Sequence, residues 1–357
     1  MKLHKNPERN YFIDKKFYLS DEIFKNSVGK IFRKNPLYIG HKSAFNPNIG
    51  LYPISVYPEL LNEEIILKFQ DNQLNEILSN VCTHRAHLLL DSPCRKKTFQ
   101  CPYHGRKFDN NGKVKSAPGF DNQLNEIKKN ENLSKYSFIE FLNFYFLTNT
   151  ENSIYKIIQN YSNLFNWFPY KDLKPEKSNK NNFEINAHWA LYVENYLEGL
   201  HIPFIHKGLT KEINMNNYKV ELLPKATLQT AIGKSSENTF SIFDNCPEKF
   251  KKIAAFYFWI YPNIMINIYS WGISVNIIEP VSKEKTLIRY ETFLLDSKKQ
   301  KKGAGGNLHK VELEDQDAVL KVQKGLKSSK YFPGKISSIH ELGVNHFHKL
   351  LTKDLYR

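Results

Sequence analysis

Cys82-Thr83-His84, sixteen intervening residues, then Cys101-Pro102-Tyr103-His104 is the stretch whose reading decides the fold. A Cys-x-His followed by a Cys-x-x-His offers two thiolates and two imidazoles. That set suits a [2Fe-2S] cluster with both thiolates on one iron and both imidazoles on the other, where neutral ligands in place of anionic ones raise the potential. Two cysteines and two histidines also suit tetrahedral zinc. Zinc ribbons usually use two Cys-x-x-Cys-like knuckles, so the Cys-x-His half favours iron over zinc.

A second constellation lies downstream, in Asn195-Tyr196-Leu197-Glu198-Gly199-Leu200-His201-Ile202-Pro203-Phe204-Ile205-His206. Two histidines from one segment and a carboxylate from elsewhere make the facial site that holds non-haem Fe(II) and leaves positions open for oxygen. At roughly 100° per residue, Glu198 and His201 are neighbours on a helix, while His206 points about 140° away from His201. Pro203 removes a backbone donor, which predicts a kink or stop there that re-aims His206 toward the same point. Taken alone, the segment leaves an amphipathic helix with hydrogen-bonded histidines as an equal alternative.

Together, Cys82-Thr83-His84-Arg85, Cys101-Pro102-Tyr103-His104-Gly105 and the downstream Glu198, His201 and His206 resemble the oxygenase (alpha) subunit of Rieske non-haem iron oxygenases, over nearly the whole chain. The wording around Glu198 and His201 is most similar to the branch of choline, glycine-betaine and carnitine monooxygenases. The resemblance implies an α+β fold. A small antiparallel β-barrel Rieske domain would span 37–150, and a helix-grip (START-like) catalytic domain with a curved antiparallel sheet would take 1–36 and 151–357. It implies Cys82, His84, Cys101 and His104 as cluster ligands, and His201, His206 and Asp315 as ligands of a mononuclear iron. It further implies a homotrimer in which the cluster of one subunit faces the iron of its neighbour, with Glu198 bridging them. Electrons would come from NAD(P)H through a separate reductase, with or without a ferredoxin. The implied activity is monooxygenation: hydroxylation or N-demethylation of a small methylated amine with O2. Ring hydroxylation by a dioxygenase is the alternative, and an electron carrier without oxygenase activity or a zinc-stabilised binding module are the others. Two departures stand out: Ala86 where a glycine commonly follows His-Arg, and Arg106 where a tryptophan usually follows His-Gly.

The third iron ligand comes from Val311 to Gln323, which reads as a helix. Ala318, Val319 and Val322 lie on the side one or two turns along from Asp315, placing that carboxylate toward the core and turning Asp317 away. Asp317 is the second choice. Plain helix-terminus charge is the other reading of Glu314 and Asp315.

The remaining chain supports this layout. Ser20 is placed to cap a short helix at Asp21. Short β-rich runs at 52–57, 64–69 and 77–78 lead into Cys82, with hairpin turns at Asp71-Asn72-Gln73 and near Asn110-Asn111-Gly112. Strands at 138–141 and 144–147 close this region. Residues 153–165 have helical spacing, 169–182 read as a connector, and a helix begins near Asn186 whose Trp189, Tyr192 and Tyr196 look like core. Aromatic and β-branched runs from Phe256 to Leu295 predict one antiparallel sheet. Aromatics at 256–271 are read mainly as core, with an ammonium cage as the other use. Lys298 to Gly306 reads as a mobile, solvated loop. The last helix, with His340, His346 and His348, is expected to pack on the sheet without binding metal. The heptad Asp71 to Ile77 recurs at Asp121 to Ile127, too short for a repeat architecture.

Length and composition fit a two-domain globular protein: 357 residues, 41% hydrophobic and 24% charged. The net charge of +15 comes from scattered lysines without a stacking platform, which argues against nucleic acid. A solvated surface of biased composition is the first reading of that charge, and basic patches that attract an acidic electron-transfer partner are the second. Four cysteines, of which Cys94 and Cys246 are unassigned, suit a reducing compartment. No signal peptide or membrane span is evident, so a cytoplasmic location is expected. No Gly-x-Gly-x-x-Gly fingerprint follows a strand, hence the separate reductase.

Overall fold

The computed structural model describes residues 10–148, 161–176, 181–295 and 302–356. The chain divides into two compact units: Pro36–Ile158, and Met1–Asn35 with Gln159–Arg357.

In the first unit the strands are β1 (Leu37–His41), β2 (Leu51–Val56), β3 (Glu63–Gln70), β4 (Gln73–Ser79), β5 (Thr98–Gln100), β6 (Lys107–Asp109), β7 (Val114–Ser116), β8 (Lys135–Phe141) and β9 (Phe144–Thr148). Six of them form an antiparallel sheet in the order β1-β9-β8-β4-β3-β2, and β1 lies beside β2, nearly closing a small barrel. β5-β6-β7 make a second, three-stranded sheet. The predicted turns are present. Asp71 and Asn72 take φ of 51° and 63° between β3 and β4, the left-handed pair that a two-residue hairpin needs to match strand twist. Between β6 and β7, Asp109 Oδ1 accepts the N–H groups of Asn111 and Lys113 at 3.0 and 2.9 Å, and Gly112 supplies a φ of 77°. Leu51, Ile66, Leu78, Phe99 and Phe108 pack into one apolar core that also takes in Cys82 and Cys101.

In the second unit the strands are β10 (Lys174–Pro175), β11 (Asn181–Ile185), β12 (Lys219–Leu223), β13 (Ala226–Ile232), β14 (Ile253–Ile260), β15 (Ile264–Tyr269), β16 (Gly272–Ser282) and β17 (Lys285–Leu294). The order is β10-β17-β16-β15-β14-β13-β12, with β11 also on β17. This is the antiparallel sheet expected from Phe256 to Leu295. Every residue of β14 and β15 is buried, which is why those strands read as continuous apolar runs rather than alternating ones. Four longer helices accompany it: Asp21–Lys30, Trp189–Tyr196, Leu308–Leu326 and Leu342–Tyr356. Ser20 Oγ accepts the Ile23 N–H at 3.4 Å and caps the first. On the last, His346 Nε2 donates to the Leu223 carbonyl of β12 at 2.9 Å.

Three expectations are corrected. Residues 169–182 are not a bare connector, because β10 and the start of β11 fall there and pair with β17; 177–180 lie outside the described residues. Of the expected loop from Lys298 to Gly306, residues 298–301 lie outside the described residues, but Gly303–Gly305 is an ordered turn with Ala304 buried. Gly305 sits so close to Trp271 that a Cβ would stand 2.8 Å from its ring, so only glycine fits. Val322 is 50% exposed, and the buried stripe of its helix runs through Gln316, Val319, Gln323 and Leu326, which follow the three- and four-residue period more closely. Of the helical spacing at 153–165, residues 153–160 lie outside the described residues. Among the described residues, no helix is long and apolar enough to cross a membrane.

Candidate active site

Two turns of matching design present the Cys/His set. In the first, Cys82 N–H donates to His87 C=O at 2.8 Å and Ala86 N–H to Cys82 C=O at 3.0 Å; in the second, Cys101 N–H donates to Arg106 C=O at 2.9 Å and Gly105 N–H to Cys101 C=O at 3.0 Å. Ala86 and Gly105 both take positive φ, 56° and 75°. The cysteines are buried, His84 is half-buried and His104 exposed. The thiols of Cys82 and Cys101 lie within hydrogen-bond reach of each other, and the rings of His84 and His104 are 4.7 Å apart. Sulfur paired with sulfur inside and imidazole with imidazole outside is the pairing a two-iron cluster needs, whereas one tetrahedral ion needs all four donors around one point. Arg106 is 3% exposed. It reaches Thr83 Oγ1 at 3.1 Å and pairs with the Glu131 carboxylate, tying the second turn to the first.

The second constellation also assembles, by a different local route from the one expected. The helix Trp189–Tyr196 stops before Glu198, and Pro203 sits in the first turn of a new short helix, Ile202–Ile205, where a residue without an N–H is tolerated. Glu198 accepts the backbone N–H groups of Leu200 and, at 3.2 Å, of His201. Such a side chain competes with the helix for its own backbone and ends it early. His206 falls between the short helices Ile202–Ile205 and Lys207–Glu212.

His201, His206 and Asp315 each offer one ligand atom, and these atoms lie within 4.8 Å of one another; it is the one such group of three found among the described residues. His206 Nε2 is 2.9 Å and His201 Nε2 3.7 Å from Asp315 Oδ1. Each imidazole is held by its other nitrogen. Glu198 Oε1 is 2.5 Å from His201 Nδ1, and Glu314 Oε2 is 2.8 Å from His206 Nδ1. A carboxylate on Nδ1–H fixes the tautomer that leaves Nε2 as ligand and raises its basicity. Asn195 Nδ2 donates to Asp315 Oδ1 at 2.6 Å. Two nitrogens and one carboxylate oxygen converging in this way fit Fe(II) with open positions. Asp317 points outward and pairs with Lys321 at 2.6 Å.

Around this point is a cavity of about 620 Å³, mouth included, walled by Tyr192, Tyr196, Tyr218, Tyr257 and Tyr269. Two of these, Tyr192 and Tyr196, were expected to be core. Tyr257 and Tyr269 face the cavity from β14 and β15, while Phe256 packs against Phe165 and Phe240. Glu312 also lines it. Its carboxylate accepts from Asn276 Nδ2 at 2.9 Å and from the hydroxyls of Tyr192 and Tyr290. Burial pushes it up to about 7, against the three donors that pull the other way. Asn195 stands at the head of the quoted motif without a role of its own, and Glu312 and Glu314 carry no signal in the sequence. Glu314 reads as a terminal helix charge, and the other two read as ordinary polar residues.

Residues 170–355 match the family described as the ring-hydroxylating alpha subunit (catalytic domain), and residues 55–136 match the Rieske [2Fe-2S] domain. The chain is 28% identical to the carnitine monooxygenase oxygenase subunit of Escherichia coli (strain K12), over 98% of this chain and 95% of that protein. It is 27% identical to the chloroplastic choline monooxygenase of Beta vulgaris, over 95% of this chain and 76% of that protein. Among solved structures, the quaternary ammonium Rieske monooxygenase CntA in complex with L-carnitine superposes with a TM-score of 0.74 at 25% identity, covering 98% of this chain and 97% of that one. Naphthalene 1,2-dioxygenase from Rhodococcus sp. shares the fold, with a TM-score of 0.70 at 12% identity, over 96% of this chain and 94% of that one.

Proposed function

This chain belongs to the ring-hydroxylating alpha-subunit family with a Rieske [2Fe-2S] domain, and from that premise we propose that it is the oxygenase component of a monooxygenase acting on a small methylated ammonium compound. Members are oxidoreductases that use O2, with a Rieske cluster and a mononuclear iron. In the proposed assignment Cys82, His84, Cys101 and His104 hold the cluster, and His201, His206 and Asp315 hold the iron. The observation that carries the substrate reading is the tyrosine wall around the iron triad, since tyrosine faces attract a desolvated ammonium. The carnitine and choline monooxygenases among its relatives support the same reading.

When bound, the cluster supplies electrons singly and the iron binds and activates oxygen. The chain's own residues do the rest. Glu198 and Glu314 keep both Nε2 atoms deprotonated toward the metal. Asn195 holds Asp315 in place, and the tyrosines exclude water and orient the methylated nitrogen. Glu198 is the proposed bridge to a cluster histidine of a neighbouring subunit in a homotrimer, fed by a separate reductase.

The test is iron content, visible absorbance and oxygen uptake on purified protein. About three irons per chain are expected, with uptake and product from methylated amines. Substituting His201→Ala should remove the catalytic iron and leave the cluster absorbance. A colourless protein after anaerobic reconstitution with iron and sulfide would end the proposal.

A further inference from the structure

The cavity beside the iron triad has a charge and hydrogen-bond inventory that narrows the substrate. Its wall carries three carboxylates, Glu198, Glu312 and Asp315, and among the described residues no lysine or arginine lines it. A divalent iron set against these three leaves one negative charge over. Glu312 is held by neutral donors alone, Tyr192, Tyr290 and Asn276, and burial opposes its ionised form. A buried carboxylate without a cation is costly, and a cation brought beside it relieves that cost.

Among the described residues, two further polar atoms in the wall have no partner: the Tyr257 hydroxyl, which can donate or accept, and Asn276 Oδ1, which only accepts. Because Asn276 Nδ2 is committed to Glu312, its Oδ1 is fixed as an acceptor. An acceptor needs a donor from the ligand. A hydroxyl provides one, while a carboxylate has none to give and would meet Oδ1 lone pair against lone pair.

We infer that the substrate is a small organic cation that bears a hydroxyl or another neutral hydrogen-bond donor and no carboxylate, with Glu312 as its counter-charge. This rests on the monooxygenase reading and divides the compounds that reading admits. A zwitterion would set its carboxylate against a wall already negative, with no basic side chain among the described residues to receive it.

The experiment is calorimetric titration of the oxidised protein, loaded with cluster and iron, without reductase. The probes are choline, its neutral carbon isostere 3,3-dimethylbutan-1-ol, glycine betaine and L-carnitine. Choline should bind about tenfold or more tightly than each of the other three, which corresponds to the weight of one desolvated charge contact. Glu312→Gln should keep the iron content and cluster absorbance and bring the choline to isostere ratio to within about threefold. Three results overturn the inference: a betaine or carnitine binding as tightly as choline, an unchanged ratio in Glu312→Gln, or no binding of any of the four. Oxygen uptake with product from L-carnitine would leave the monooxygenase reading standing while this inference falls. A loaded protein that turns over none of the methylated amines would remove the earlier reading itself.

Discussion

Ala86 holds a φ of 56° at the place in the first cluster turn where Gly105, at 75°, stands in the second. A side chain there costs energy that glycine does not, partly offset by the greater freedom of glycine in the unfolded chain. Ala86→Gly should therefore stabilise the cluster turn by about 0.5–1 kcal/mol, read as a higher denaturant midpoint for loss of the cluster's visible absorbance. Glu314 holds His206 by its Nδ1, so Glu314→Gln should weaken iron binding about 10–100-fold, measured by competition with a chelator. Glu312 titrates near 7 in the fold against an ordinary 4.5. A raised carboxyl pKa means that the folded state favours the proton, so its contribution is fully present below 4.5 and lost as pH rises through 7. In iron-free protein, Glu312→Gln should match wild type at pH 4.5. It should gain stability up to pH 7 and level off on the order of 3 kcal/mol above it, as thermal melts across pH would report. The proposed ligands are legible in the sequence because an iron site of either kind calls for a particular residue type and spacing. Glu312 and Glu314 are not, because a carboxylate on a helix reads the same whether it meets water, a tyrosine or an imidazole.

The heptad Asp-Asn-Gln-Leu-Asn-Glu-Ile occurs twice and folds in two ways. At 71–77 it is a hairpin turn running into β4; at 121–127 it is a short 3₁₀ turn, Asp121–Gln123, followed by the helix Leu124–Asn130. Its two apolar residues are three apart, a spacing that shares one helix face but splits across a strand. In β4 the difficulty is removed by a bulge. Leu74 lies opposite Phe69 and Ile77 opposite Leu67, with Glu76 opposite Lys68, so Asn75 is the extra residue. Phe69 and Leu67 share a face, and the bulge brings Leu74 and Ile77 onto it. Local sequence therefore leaves this element undecided, and tertiary contacts choose. The same holds for the iron segment, where the helical phase of Glu198 and His201 was readable but the early stop at Tyr196 was not, since it depends on Glu198 turning back on its own backbone. A paired substitution checks the two conformers of the heptad. Asn72→Ala places alanine at a φ of 63° and should cost about 1 kcal/mol. Asn122→Ala, on an exposed turn, should stay within about 0.5 kcal/mol of wild type; equal effects would contradict the two conformations.

At the scale of the whole molecule, the proposed cluster ligands and the proposed iron triad belong to different compact units of one chain, and in the proposed reaction electrons pass from the first to the second. The proposed ring of three subunits makes that passage intermolecular, and inter-subunit electron transfer is described for the related quaternary ammonium monooxygenase. Complementation decides whether it holds here. His104→Ala should remove the cluster and keep the iron, and Asp315→Ala should do the reverse, so each is inactive alone whichever route electrons take. Co-expressed under two affinity tags and purified as mixed trimers, they separate the routes. In a head-to-tail ring holding both kinds of chain, whichever is in the majority, just one junction sets an intact cluster against an intact iron, so about one junction in three is intact. Oxygen uptake coupled to product should then return at about one third of the wild-type rate per chain. If electrons stay within a chain, every chain carries one broken centre and the mixture is as inactive as either parent.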